Sequence, residues 1–232
     1  MFIILINRVN AVMPWPMNSF PSALLDGYHA FKEGRFAHES ERYERLAEQG
    51  QSPEILVIAC CDSRAAPGTI FNASPGEIFV VRNVANLVPP YNPDDAHRST
   101  SAALEFAVER LQVKDIVVLG HGRCGGIQAA LDPSVEQLSP GDFIGRWMEL
   151  LAPAAESIAA NQEMTQAERQ TALERISIRH SIANLRTFPF VSVREQEQQL
   201  RLHGAWFDIS SGELWVTNPE TGDFFRPPAE PS

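Results

Sequence analysis

Three side chains in this sequence carry the donor chemistry of a soft metal site. Cys60 stands at the end of one apolar run, and His121 and Cys124, three residues apart, follow a second. Two thiols and one imidazole suit a tetrahedral Zn2+, and three protein ligands leave a fourth position open to water or substrate, which marks a catalytic zinc rather than a structural one. Taken singly, each has an ordinary reading, since a free cysteine is usually a small core residue and a turn histidine is usually just hydrogen-bonded. Their joint placement changes this, because both runs read as strands, and ligands of open α/β sheets bind outside the carboxyl ends of strands. Directly after Cys60 comes Cys61-Asp62-Ser63-Arg64. That Asp–Arg pair either forms an ordinary turn or sets a carboxylate beside the metal, with Arg64 deciding whether Asp62 takes the fourth position or stays off it.

These residues need elements to hold them. Ile55 to Ala59, Ile78 to Val81 and Asp115 to Leu119 are short, apolar and mostly β-branched, the pattern of strands buried on both faces. Between the second and third, Ser99 and Thr100 are placed to cap a helix with Ala103, Leu104, Ala107, Val108 and Leu111 on one face. Further helices are expected over Gly126 to Leu131, Asp142 to Ala160 and Thr165 to Arg186. Pro153 would bend or split the middle one, and Thr165-Gln166-Ala167-Glu168 forms a capping box for the last. Alternation returns in Gly204 to Ile209 and Glu213 to Thr217, which flank Ser210-Ser211-Gly212 as a hairpin. Near the start, apolar and aromatic residues from Leu24 to Gln49 keep helical spacing except between Phe31 and Phe36, where Gly34 suggests two helices joined rather than one. The expected fold is α/β: a mainly parallel central sheet flanked by helices, with an N-terminal helical arm. Residues 1–23 are assigned to that arm, 24–224 to the α/β domain and 225–232 to a Pro-rich tail that frays. The first 20 residues show no sustained periodicity.

Composition removes whole classes of function. Lys and Arg number 19 against 29 Asp and Glu, a net charge of −10, so there is no basic excess for a nucleic-acid backbone. No apolar run approaches the roughly 20 residues of a membrane span. The short run Phe2 to Ile6 is no signal-peptide core, which makes the cytoplasm the expected location. Three cysteines in 232 residues make no disulfide framework. Gly120-x-Gly122-x-x-Gly125 matches the dinucleotide fingerprint literally. However, it follows a strand that is not the first of the sheet, and close packing around a metal turn explains its glycines equally well. Walker-type phosphate binding fails for want of a following Gly-Lys-Ser/Thr, and three residues between Cys60 and Arg64 are too few for Cys-x5-Arg phosphatase chemistry.

Three ordered motifs, Cys60-x-Asp62-Ser63-Arg64, Val81-Arg82-Asn83-Val84-Ala85-Asn86 and His121-x-x-Cys124-Gly125-Gly126, together resemble the β-class carbonic anhydrases, with the pattern of the plant-like subclass. The resemblance runs from about Leu24 to Phe224. It implies Cys60, His121 and Cys124 as ligands of Zn2+, Asp62 and Arg64 as the catalytic dyad, and reversible hydration of CO2 to bicarbonate and a proton by attack of a zinc-bound hydroxide. It also implies a homodimer or a larger even-numbered homo-oligomer. Gln51 is similar to a substrate-side glutamine that reaches the pocket across the dimer interface, Phe79 to a wall residue, and Gly125 belongs to the same substrate-side set. Two positions depart from the pattern. Phe106 stands where plant members carry a pocket tyrosine, and Val57 where bicarbonate-inhibited bacterial members carry tryptophan. Two alternatives stay open: carbon disulfide or carbonyl sulfide hydrolysis on the same zinc site, and a nucleotide-binding or zinc-structured regulatory module.

Overall fold

A computed structural model describes residues 20–94, 98–132 and 137–228. The expected arm before Phe20 and the last four residues of the tail lie outside this range.

Of the described residues, 20–50 form one compact unit and those from Gln51 to Pro228 form a second. In the first unit, α1 (Ser22–Glu33) and α2 (Arg35–Gln49) are two helices broken at Gly34, where φ −95° and ψ −98° are not helical. Phe31, Phe36 and Tyr43 cluster around the break with ring centroids 5.1–6.1 Å apart, so the step of five residues in the apolar pattern is where the second helix turns its aromatic face to the first.

The second unit is built on a six-stranded sheet in the order β2-β1-β3-β4-β5-β6. Its strands are β1 (Ile55–Cys60), β2 (Ile78–Asn83), β3 (Asp115–His121), β4 (Arg201–Phe207), β5 (Leu214–Thr217) and β6 (Phe224–Phe225). The first four in that order are mutually parallel, and β5 and β6 add antiparallel edges. The inner strands β1 and β3 are buried on both faces. Leu56, Ile58, Ile116 and Val118 point to one core, and Val57, Ala59 and Leu119 to the other, which is why their sequences are continuous apolar runs rather than alternating ones.

Helices fill the crossovers: α3 (Pro67–Ile70) between β1 and β2, α4 (Arg98–Glu105) between β2 and β3, and α5 (Gly125–Leu131) to α9 (Pro189–Gln196) between β3 and β4. Parallel neighbours need such long connections. The expected helix over Asp142 to Ala160 is split into α6 (Phe143–Met148), a 3-10 turn (Glu149–Leu151) and α7 (Ala152–Ala159), with Pro153 in the first turn of α7. Pro153 lacks the N–H that a continuous helix would use there. The helix α8 (Gln166–Leu185) starts on the Thr165–Glu168 capping box, with both reciprocal bonds present, and packs against β3 and β4.

Four local expectations are corrected. Ser99 and Thr100 lie within the first turn of α4 instead of capping it. The apolar face that continues into Phe106–Leu111 is wound as a π-helix, which ends at left-handed Gln112 with Val113 N–H donating to Ala107 O. The hairpin strand begins at Arg201 rather than Gly204, because β4 pairs in parallel with β3 along its whole length before its end meets β5. The helix α9 was not expected at all. Pro189 opens it at a position where a missing N–H costs nothing, but its eight residues are too few to show a period.

Candidate metal centre

Adjacent parallel strands β1 and β3 end side by side, with Ala59 opposite Leu119, and this carries Cys60 and His121 to the same edge of the sheet. After His121 the chain turns through Gly122 and left-handed Arg123 (φ 56°) and reaches Cys124, the residue that precedes α5. The turn is pressed onto the body of the unit. A Cβ on Gly120 would sit 2.7 Å from Ile178 Cδ1, and one on Gly122 would sit 3.1 Å from Trp206 Cζ2. Close packing therefore accounts for the first two glycines of the dinucleotide-like fingerprint, whereas the space at Gly125 is open.

The three expected ligands meet. Cys60, His121 and Cys124 are all at most 5% exposed, and their donor atoms lie within 4.8 Å of one another. The two sulfurs are 3.9 Å apart. Two thiols this close do not both ionise unless a cation joins them: contact with Cys124 draws the Cys60 thiol down to about 4, and the same contact, with burial, pushes the Cys124 thiol up. His121 Nδ1 lies 2.9 Å from Gly122 O, which assigns the ring proton to Nδ1. The other nitrogen, Nε2, is buried and has no hydrogen-bond partner among the described residues. A buried acceptor left unpaired is costly. An imidazole lone pair facing two thiols is the donor set of a thiolate-rich zinc site, with the histidine fixed through its second nitrogen as metal-binding histidines are.

Backbone amides surround both sulfurs. Ala85 N–H donates to Cys60 Sγ at 3.4 Å, and the amides of Gly126 and Ile127, at the start of α5, lower the Cys124 thiol against the larger effects that raise it. Reaching Cys60 requires two successive left-handed residues, Ala85 (φ 62°) and Asn86 (φ 51°), a conformation that non-glycine residues adopt only when the surroundings enforce it. The surroundings do so here. Asn83 bonds both the N–H and the O of Leu87 through its side chain, Trp147 Nε1 donates to Val84 O at 2.8 Å, and Ser181 Oγ donates to Asn86 O. Arg82 donates to Cys60 O and to Asp62 O, pinning the segment after β1. The middle motif is thus a scaffold for Cys60.

Asp62 faces this cluster, with Oδ2 3.8 Å from His121 Nε2. Arg64 takes both of its oxygens, Nε to Oδ1 at 2.9 Å and Nη2 to Oδ2 at 2.7 Å, while Arg64 N–H adds a third bond to Oδ1. Those hydrogen bonds hold the Asp62 carboxyl well below the usual carboxylate range. A further bond from Arg64 Nη2 to Arg123 O at 3.1 Å links the pair to the turn that carries Cys124. Cys61 is exposed, outside the ligand set. Phe79 and Phe106 pair with each other, centroids 5.8 Å apart, and Phe106 is 46% exposed. Gln51 is exposed at the start of the second unit and makes no hydrogen bond to the ligands or the dyad among the described residues.

One residue at the site gave no signal in the sequence. Glu174 on α8 is 2% exposed and accepts from Cys124 N–H. Burial pushes its carboxyl up, against the donors that favour its charge. In a helix rich in charged residues it reads as part of a solvated face.

Residues 55–214 match the family model described as carbonic anhydrase. The chain is 40% identical over 192 residues to beta carbonic anhydrase 5, chloroplastic, of Arabidopsis thaliana; the match covers 82% of this chain and 62% of that protein, so the chain spans less than two thirds of that relative's length. The structure of the β-carbonic anhydrase CcaA superposes with a TM-score of 0.82 at 28% identity, covering 90% of this chain and 92% of that one. A structure from a study of two tetrameric β-carbonic anhydrases of the filamentous ascomycete Sordaria macrospora gives a TM-score of 0.72 at 31% identity, over 88% and 98% of the respective chains.

Proposed function

The chain belongs to the β-class carbonic anhydrases, and we propose that it catalyses the reversible hydration of CO2 to bicarbonate and a proton, with Zn2+ held by Cys60, His121 and Cys124. The observation that carries this reading is the unpartnered, buried Nε2 of His121 facing two thiols, with the Asp62–Arg64 pair beside it. Bound there, Zn2+ supplies Lewis acidity that lowers the pKa of water.

The protein side chains do the rest. Two thiolates and a neutral imidazole cancel the formal charge of a dication, so acidification is weaker than with three histidines and the neighbouring acceptor matters more. Asp62, ionised and fixed on its Arg64-facing side, offers an acceptor that orients the attacking water and takes up its hydrogen-bond donor. Arg64 keeps that carboxylate from swinging toward the ligands. The resemblance assigns Phe79 and Phe106, which pair with each other, to an apolar wall suited to an apolar substrate, and Phe106 lacks the hydroxyl of the tyrosine found in plant members, which removes one polar contact. Gln51 supplies its polar contact from a partner subunit in an even-numbered homo-oligomer, a reading supported by its exposed position and by the tetrameric relatives.

Stopped-flow hydration assays on CO2, carbonyl sulfide and carbon disulfide, run with metal analysis on the same preparation, test the proposal. The expected result is CO2 hydration that scales with zinc content. Sulfur-analogue hydrolysis without CO2 hydration would reassign the substrate, and zinc without either activity would favour a zinc-structured module.

A further inference from the structure

Glu174 takes no part in the chemistry above, yet it is a carboxylate held at 2% exposure behind the metal turn. A buried carboxylate is costly unless hydrogen bonds satisfy it. Its two oxygens are satisfied by donors from different parts of the fold: Oε1 accepts Cys124 N–H at 3.0 Å, and Oε2 accepts Trp206 Nε1–H at 3.1 Å. The Cys124 amide precedes α5 and lies outside that helix's own bonding, so it needs an external acceptor. Trp206 on β4 is the side chain against which Gly122 packs. One carboxylate therefore ties the metal turn to α8 directly through Cys124 and indirectly through the indole under Gly122. One turn earlier on α8, Gln170 donates to Cys124 O at 3.4 Å.

Two N–H donors converging on one side chain select for a group with two acceptor oxygens and no donor. A glutamine would serve one of them and set its own N–H2 against the other. We propose that Glu174 is a positioning residue of the metal centre, acting as a doubly accepting carboxylate that holds the His121–Cys124 turn in the geometry that presents Cys124 Sγ. This rests on the zinc reading above, which the unmodified protein tests in the same experiment.

The test compares Glu174→Gln, Trp206→Phe and the double variant, each loaded with zinc for timed release to a colorimetric chelator and with Co2+ for its visible absorption spectrum. Glu174→Gln is expected to hold zinc about 10–100-fold more weakly, the usual effect of losing an outer partner of a metal ligand, read as faster release to the chelator, and to alter the cobalt bands. Trp206→Phe leaves the Cys124 bond in place and is expected to retain zinc. The double variant is expected to recover most of the loss, since the glutamine then needs only to accept from Cys124. Glu174→Asp, whose shorter carboxylate does not reach both donors, replaces Glu174→Gln if that variant does not fold, with the same direction expected. Zinc release and a cobalt spectrum unchanged in Glu174→Gln or Glu174→Asp, or a double variant with no recovery, would overturn the proposal. An unmodified protein that takes up neither metal would overturn the zinc reading instead.

Discussion

Arg64 is more than half exposed, yet three of its hydrogen-bond donors converge on Asp62 and one of these also reaches the turn that carries Cys124. Removing it frees the carboxylate next to a dication, and a direct carboxylate–metal bond is the outcome that the charges favour. Arg64→Ala is therefore expected to bind zinc normally and lose hydration activity by about 10–100-fold or more, which metal analysis and stopped-flow rates on one sample would show together. The sign of the Asp62 shift fixes its pH behaviour. Its folded pKa lies below the unfolded carboxylate value of about 3.9, so its charge and the stability of its pairing persist above that value and fade only as pH falls through the depressed folded one. Asp62 thus does not titrate between pH 5 and 9, and Asp62→Asn is expected to lower the activity at every pH in that range. Activity equal to that of the unmodified protein at any pH in that range would contradict the role given to Asp62. At this scale the convergence of Cys60, His121 and Cys124 could be read from two apolar runs that end in thiol and imidazole donors, whereas spacing alone left Asp62–Arg64 open between an ordinary turn and a pair beside the metal. The part played by Ala85, which lies in a quoted motif but acts through its backbone N–H, could not be read from its side chain, and Glu174 is a common surface residue set apart by burial.

The elements hold the site through close contacts more than through charge. Gly120 lies under Ile178 of α8 with no room for a Cβ, at 2.7 Å from Cδ1. Gly120→Ala is expected to cost about 1–3 kcal/mol by overpacking, read as a lower midpoint in denaturant, and Ile178→Val is expected to recover part of it. Equal loss in the single and the double variant would show that the strain lies elsewhere. Strands β1 and β3 were readable as buried runs, and the start of α8 as a capping box, since those signals are local. The parallel pairing of β4 with β3 was not, because its partner lies 86 residues away in register, Asp115 opposite Arg201, across five helices. The π-wound stretch after α4 was equally hidden. Its apolar spacing fits an α-helix, and the bond of Arg194 Nη1 to Val108 O that accompanies the altered winding is a tertiary contact.

For the whole molecule, strand–helix–strand order with apolar strands was enough to reach a mainly parallel sheet. The self-association proposed for the chain rests on no local period, because interface residues follow none. Light scattering on the zinc-loaded protein is expected to give an even-numbered homo-oligomer, and a fully active monomer would contradict the place assigned to Gln51. The chemistry proposed for the chain stands on Cys60, His121 and Cys124 around one zinc. X-ray absorption at the zinc edge tests it most directly. The expected shell holds two sulfurs at about 2.3 Å and two nitrogen or oxygen neighbours, and it loses one sulfur or the metal altogether in Cys60→Ser and Cys124→Ser but not in Cys61→Ser. A shell without sulfur, or one that changes with Cys61, would contradict the assignment.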